Sequence, residues 1–295
     1  MKRKFKPIML WVLSLIIFLS SFSAPIQAQA LSEDYGTDLY PNTQNFISNQ
    51  RNIEVEDGIS TSFEVDLYSN SSLNKGITTQ AFYLPNQFIV TTTPYSSYFL
   101  ITLTNVGADR ISSATVSLRL NDNITGKYLA SHTKKFTNLK VGTTSFKWYR
   151  SKSNTVEEQI TTSLVGYDGG QNFSGSAKTV RWNFVGGAYG TILSYGGHVH
   201  HCPANSVNGL TTYNGPALRM LTSDHKKTAS YGSKATAVAY RNKQKQLISS
   251  GKFDVAMQMD VDDIRSKFGT KYNKAITQMI NYAVGKGYIK SGKVK

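Results

Sequence analysis

Seven short segments in the middle of the chain restrict its fold more than any other feature: "QFIVTTT", "SYFLITLTN", "ATVSLRLND", "KYLASHTKKF", "SFKWYR", "QITTSLVGYD" and "TVRWNFV". Each is rich in β-branched and aromatic residues, and several alternate in polarity. Turn-forming stretches such as "NVGADR", "NDNITG" and "LKVGTT" separate them at spacings of about ten residues. Short strands at such spacing, with no helical stretch between them, predict an all-β sandwich over residues 80–187. The single cysteine of the chain, Cys202, allows no internal disulfide, so the sandwich must be held by packing. Nothing in this region resembles a catalytic constellation. His132, in "LASHTKKF", reads as an exposed strand residue.

Two other textures precede the sandwich. "MKRKFK" places four positive charges ahead of the apolar run "PIMLWVLSLIIFLSSF", which leads to "AQA" at Ala28–Ala30. A charged start, an apolar middle and an A-x-A site form a secretory signal peptide. Residues 1–30 are therefore expected to be removed after Ala30 and the protein to be secreted; the apolar run is short for a permanent anchor. Residues 31–79 hold eight acidic and two basic side chains and little periodicity. They read as a polar, propeptide-like leader with a strand or two, dispensable for activity.

The net charge of +15 is concentrated at the other end, where residues 191–295 carry sixteen Lys or Arg against five Asp or Glu. Such a surface attracts polyanions, among them nucleic acid, anionic cell-wall polymers and lipid headgroups. Helical patterns run over 233–249, over about 253–267, and from Thr270 onward, with Gly251 and Gly269 as stops. The predicted class is therefore mixed: an N-terminal all-β sandwich, then an α+β, helix-rich domain over 188–295.

That basic third opens with "GGHVHHCPAN". Of five histidines in the chain, His198, His200, His201 and His225 fall within this stretch and the nearby "TSDHKKTASYG". On a strand, His198 and His200 project to one side and His201 to the other. Downstream, Thr222 or Ser223 is the expected N-cap of a short helix carrying His225 in its first turn. A hairpin bearing imidazoles followed by a helix bearing another matches the plan of compact metal-dependent nucleases. One hairpin imidazole and the helix imidazole hold a divalent ion, and the other hairpin imidazole takes a proton from water.

The stretch "GGHVHHCPANSVNGL…NGPALRMLTSDHKKTASYGS" and the helical sequence after it, about residues 196–284, resemble C-terminal toxin domains of bacterial polymorphic toxins. Those domains are grouped with the HNH/endonuclease VII-like nucleases. The resemblance implies a ββα-metal site that cleaves DNA or RNA, a divalent cofactor (Mg, Mn or Zn) and a cognate immunity protein. It further implies His200 and His225 as ligands, His201 as general base and Asp224 as a carboxylate at or beside the metal. His198 is a third ligand or stands behind the others. Asn205 and Asn208 are both candidates for the asparagine that orients the base. Arg219, Lys226 and Lys227 flank the site and are candidates to hold phosphates, with a solvated basic face as the plain alternative. Cys202 reads as a small packed residue rather than a fourth ligand, and the acids of "MDVDDIRSKFG" as a polar helix face.

Competing readings have less support. His198-Val199-His200 has the H-x-H form of a zinc-dependent cell-wall hydrolase, but the upstream "HTKKF" puts Phe136 where that site needs a carboxylate. A Cys202 hydrolase would need His225 or His198 to reach the thiol. A non-catalytic adhesin, with a surface-binding sandwich and a basic tail on anionic cell-wall polymer, needs none of the histidines.

Overall fold

The computed structural model describes residues 47–66, 87–107, 110–168 and 171–295. The expected signal peptide, and the leader apart from 47–66, lie outside the described residues. No described helix is long and apolar enough to cross a membrane.

All seven segments form strands. They are β3 (Gln87–Pro94), β4 (Tyr98–Asn105), β5 (Ile111–Asp122), β6 (Tyr128–Leu139), β7 (Gly142–Tyr149), β8 (Glu157–Asp168) and β9 (Gln171–Trp182). Two more precede them, β1 (Ile47–Val55) and β2 (Gly58–Asp66). Among the described residues the nine make one continuous antiparallel sheet in the order β6-β5-β8-β9-β2-β3-β4-β7, with β1 paired to β2 off this path. Alternation sets the inward face: Ala114, Val116, Leu118 and Leu120 of β5 meet Phe99, Ile101 and Leu103 of β4 in one apolar core. The sheet nearly closes on itself. Its end strands β6 and β7 meet through side chains, with His132 stacked on Trp148 at 5.9 Å between ring centres. His132 is thus half-buried rather than the exposed residue expected.

The strand or two expected in the leader are β1 and β2, and β2 lies inside the sheet rather than apart from it. Phe63 is 1% exposed within the core. The join between β2 and β9 is at Gly58 opposite Arg181, and a Cβ at Gly58 would stand 2.0 Å from the Val180 carbonyl oxygen. Only glycine permits this approach. Arg181 is fully buried there. Its Nε pairs with Glu158 at 2.6 Å, and its guanidinium donates to the carbonyls of Tyr95, Arg150 and Ser151 while lying over Phe99. A buried charge is tolerable only when so fully bonded.

Downstream, β10 (Gly186–Ala188), β12 (Pro216–Met220) and β11 (His198–His201) form a three-stranded sheet with β12 in the middle. Four helices follow: α1 (Thr222–His225), α2 (Ala235–Ser249), α3 (Phe253–Phe268) and α4 (Asn273–Gly285). The last three lie close to the expected spans. Gly251 and Gly269 follow α2 and α3 at φ 72° and 59°, as helix stops. A second core joins Leu218, Met220, Ile264, Tyr272, Ile276 and Met279 to Val156, Trp182 and Phe184 from the β-rich region. Described residues on both sides of the expected 187/188 boundary thus share a core and fall within one compact unit. Asp57, at the β1–β2 turn, pairs with Lys152 at 2.8 Å and with Lys274 of α4 at 3.1 Å.

Candidate functional site

The antiparallel pair β11–β12 sets His198 opposite Met220, His200 opposite Leu218 and His201 opposite Ala217. Two residues after β12 the chain turns into α1. Leu221 stands at the N-cap position with no side-chain bond, in place of the expected Thr222 or Ser223. The helix is a single turn, and it delivers His225 over β11.

Strand alternation separates the histidines as expected. The His198 and His200 rings both meet the His225 ring edge-on, at 5.0 and 4.9 Å between centres. The Nδ1 atoms of His198 and His225 are 2.8 Å apart and share a hydrogen bond. His200 is 4% exposed, and its Nε2 has no hydrogen-bond partner. His201 turns the other way, stacks on Tyr189 at 4.1 Å, and bonds through Nε2 to the Thr212 carbonyl at 3.0 Å. A carbonyl only accepts, so Nε2 carries the proton and Nδ1 of the neutral ring keeps its lone pair. Gly215 makes room for this ring, since a Cβ there would sit 2.6 Å from His201 Cδ2.

Burial keeps these imidazoles uncharged. It pushes His200 down to about 3, helped by the neighbouring His225 and His201. It pushes His225 down to about 4, helped by His198. His201 is lowered by burial, against the opposing pull of the Thr212 carbonyl. His200, His201 and His225 line one open cavity of about 420 Å³, together with Tyr231, Asn205 and Arg241.

The low His200 value has a consequence for stability. The unfolded chain protonates near 6.5 and the folded one only near 3, so the unfolded state binds more protons between those limits. The stabilisation from a neutral His200 is complete above about pH 6.5. It is lost at about 1.4 kcal/mol per unit as pH falls toward 3. In urea titrations with chelator present, the stability of wild type relative to His200→Asn should therefore fall as pH goes from 7 to 5. A constant difference across that range would contradict the burial argument.

The four charged residues expected at the site are placed outside the lining of the histidine cavity. Arg219 is 3% exposed and spends its guanidinium on the Asn183 and Leu193 carbonyls while stacking on Tyr195. Burial lowers it to about 10, and it holds the hairpin rather than a phosphate. Asp224 is buried and accepts from Lys271 Nζ at 2.9 Å and Tyr272 OH at 2.8 Å, tying α1 to the residues just ahead of α4, outside the histidine cavity. Lys226 and Lys227 are exposed and line a neighbouring cavity. Of the asparagines, Asn205 bonds the Thr212 hydroxyl, and Asn208 is buried on the Pro203 carbonyl. Cys202 is buried in the second core and its thiol is raised by burial, which fits a packed residue.

Sequence reasoning missed Tyr189, Thr212, Tyr231 and Arg241. Tyr231 closes the quoted "DHKKTASYG", so that motif was its only signal. Among the described residues, no group of three or more His, Cys, Asp or Glu side chains is arranged to hold a metal ion. Two nitrogens bound to one tetrahedral zinc stand about 3.3 Å apart, given Zn–N bonds near 2.05 Å. The His198–His225 contact is shorter because the two rings bond each other.

The sequence matches no protein-family model and no curated protein. Among solved structures it is similar to a putative β-galactosidase from Bacteroides fragilis, at 14% identity and TM-score 0.24 over 34% of this chain and 16% of that one. It is also similar to β-glucuronidase 2 from Bacteroides uniformis, at 13% identity and TM-score 0.23 over 34% of this chain and 14% of that one. A third is the CARDB domain of a Pyrococcus furiosus protein in complex with di-metal ions, at 13% identity and TM-score 0.16 over 27% of this chain and 70% of that one. The chain thus spans about a sixth of the length of the glycosidases. The site must be read from its own geometry.

Proposed function

We propose that the chain is a secreted, metal-dependent nuclease whose site is the cleft of His198, His200, His201 and His225. In this reading the β-rich region is a sandwich that carries a ββα-metal-like domain. The observation that carries the proposal is the buried, unpartnered Nε2 of His200, whose ring meets that of His225 edge-on, beside a His201 whose Nδ1 lone pair is left free by its Nε2–H bond to Thr212. An orphaned buried nitrogen costs about 1–3 kcal/mol, a cost that a bound cation removes.

The donor chemistry fits a borderline cation, because all three imidazoles are neutral near pH 7 and a neutral ring is the ligating form. His200 and His225, with His198 behind them, would hold Mg, Mn or Zn. When bound, the ion would supply stabilisation of the charge that develops on the phosphate. His201 accepts a proton at Nδ1 from the water that attacks phosphorus, and its Nε2–H bond to Thr212 steadies the imidazolium. The Tyr189 ring and Gly215 fix its plane. Arg241, which lines the same cavity, replaces Arg219 as the cation beside the phosphate. A cognate immunity protein is proposed from the toxin-domain resemblance, and anionic cell-wall polymers from the basic charge of residues 191–295.

Incubating the full chain with plasmid DNA and with RNA, with and without chelator, tests the reading. Cleavage of at least one substrate with Mg, Mn or Zn, stopped by chelator, is expected. Intact substrates at saturating concentrations of all three metals would rule it out in favour of a binding protein.

A further inference from the structure

We infer that the lysine-lined cavity beside the histidine cleft is a nucleic-acid subsite, and that it takes single strands rather than duplex. This cavity, of about 720 Å³, is lined by Lys226, Lys227 and Lys234, with Tyr231 and Gly232 at its border. Tyr231 and Gly232 also line the histidine cavity, so the two open on either side of one loop. Among the described residues, no Asp or Glu lines the lysine cavity. Lys226, Lys227 and Lys234 are exposed. Lys267, at the same cavity, is already paired with Asp263 at 2.6 Å and bonded to the Lys227 carbonyl.

The loop between the cavities is held in place. Arg241 of α2 donates through Nη1 to the Ser230 and Gly232 carbonyls, at 2.5 and 2.8 Å, the two that bracket Tyr231. Gly232 takes φ 84°, a left-handed value that glycine supplies without strain. The Tyr231 ring stands edge-on to His225, at 4.9 Å and 74°, yet remains 38% exposed. A rigid, partly exposed aromatic between a row of cations and a reacting centre is a stacking platform. Phosphates on the lysines and a base on Tyr231 would lead the backbone over the loop toward Arg241 and the histidines.

The single-strand preference follows from stacking. A tyrosine face can receive only a base that its neighbours have released, and in a duplex both faces of each base are occupied. Both cavities are also of the size that encloses one small-molecule-sized group, not a double helix. The inference depends on the nuclease reading only for the direction of the strand. Binding itself can be measured with no reaction taking place.

The test uses the full chain in chelator, with a short fluorescein-labelled single strand and its duplex, read by anisotropy at low and physiological salt. The single strand should bind at least tenfold tighter. Tyr231→Ala should weaken its binding by roughly five- to a hundredfold. Tyr231→Phe, which keeps the ring, should bind as wild type does, and this variant separates stacking from damage to the fold. Lys227→Glu and Lys234→Glu should weaken single-strand binding and flatten its salt dependence. Equal affinity for duplex, or equal loss in the Phe and Ala variants, overturns the inference. So does competition by inorganic polyphosphate that matches the oligonucleotide and ignores Tyr231, since that would be capture of any polyanion by charge. Tyr231-dependent single-strand binding without cleavage in metal would sink the nuclease reading alone. Cleavage without single-strand preference would sink this one alone.

Discussion

His201→Ala should lower cleavage by roughly a hundred- to ten-thousand-fold while leaving metal affinity nearly intact. The expectation follows from where the ring points. His201 turns away from the other three imidazoles, stacks on Tyr189 and is bonded to the Thr212 carbonyl. A base need not touch the ion. His200→Ala and His225→Ala should instead lose metal and activity together, because their rings meet edge-on at 4.9 Å. His198→Ala should fall between, since His198 reaches the site through its 2.8 Å bond to His225. His132→Ala, on β6 against Trp148, should leave cleavage unchanged. Calorimetric metal titrations beside nicking assays at saturating metal separate these cases. If His201→Ala loses metal as severely as His200→Ala, His201 is a ligand and the base is another group. If all four cleft variants cleave normally, the histidine cluster is not the site.

The second large effect concerns stability. A chain beginning at Gln80 should fail to fold cooperatively, although composition alone marks the segment before it as expendable. It would lose β2, the strand between β9 and β3, and with it the join opposite Arg181. The β9 and β3 ladders would be left as exposed edges, and the Asp57 pairs to Lys152 and Lys274 would go. Net stability is about 5–15 kcal/mol for a typical native protein, so losing a central strand exceeds what remains. The smaller change Phe63→Ala should cost about 3–5 kcal/mol, the usual cost of deleting a buried phenyl ring. Thermal and urea melts followed by circular dichroism decide this. A wild-type-like, cooperative transition in the shortened chain would make β1–β2 an appendage.

The seven segments were legible because each carries its own alternation, and β-branched residues that alternate can bury only one face. The β1–β2 hairpin carries only a weak signal, the alternation of "SFEVDLY", which suggests a strand or two but not a place inside the sheet. Its stretch "NIEVEDGISTSFEVDLY" is acidic, and β2 earns its place through partners on β3 and β9 that lie far along the chain. The histidine pattern was legible at the same local level: the two-residue period of a strand alone parts His201 from His198 and His200.

Arg219 and Asp224 went astray for one reason. Both neighbour the histidines in sequence, and charged residues near a proposed site are easily assigned to its ligand. All five residues of β12 are buried, however, because it is the middle strand and α4 packs against it. A guanidinium there must satisfy itself on backbone carbonyls, and a carboxylate one turn later must pair with Lys271 and Tyr272. The sequence by itself determined the strand-forming segments, the three long helices and the alternation of the imidazoles, because those depend on residues within a few positions of one another. Only the tertiary structure decided which cations and carboxylates face the cleft, and that Tyr231 and Arg241 stand there, because burial is set by elements that meet only when the chain has folded.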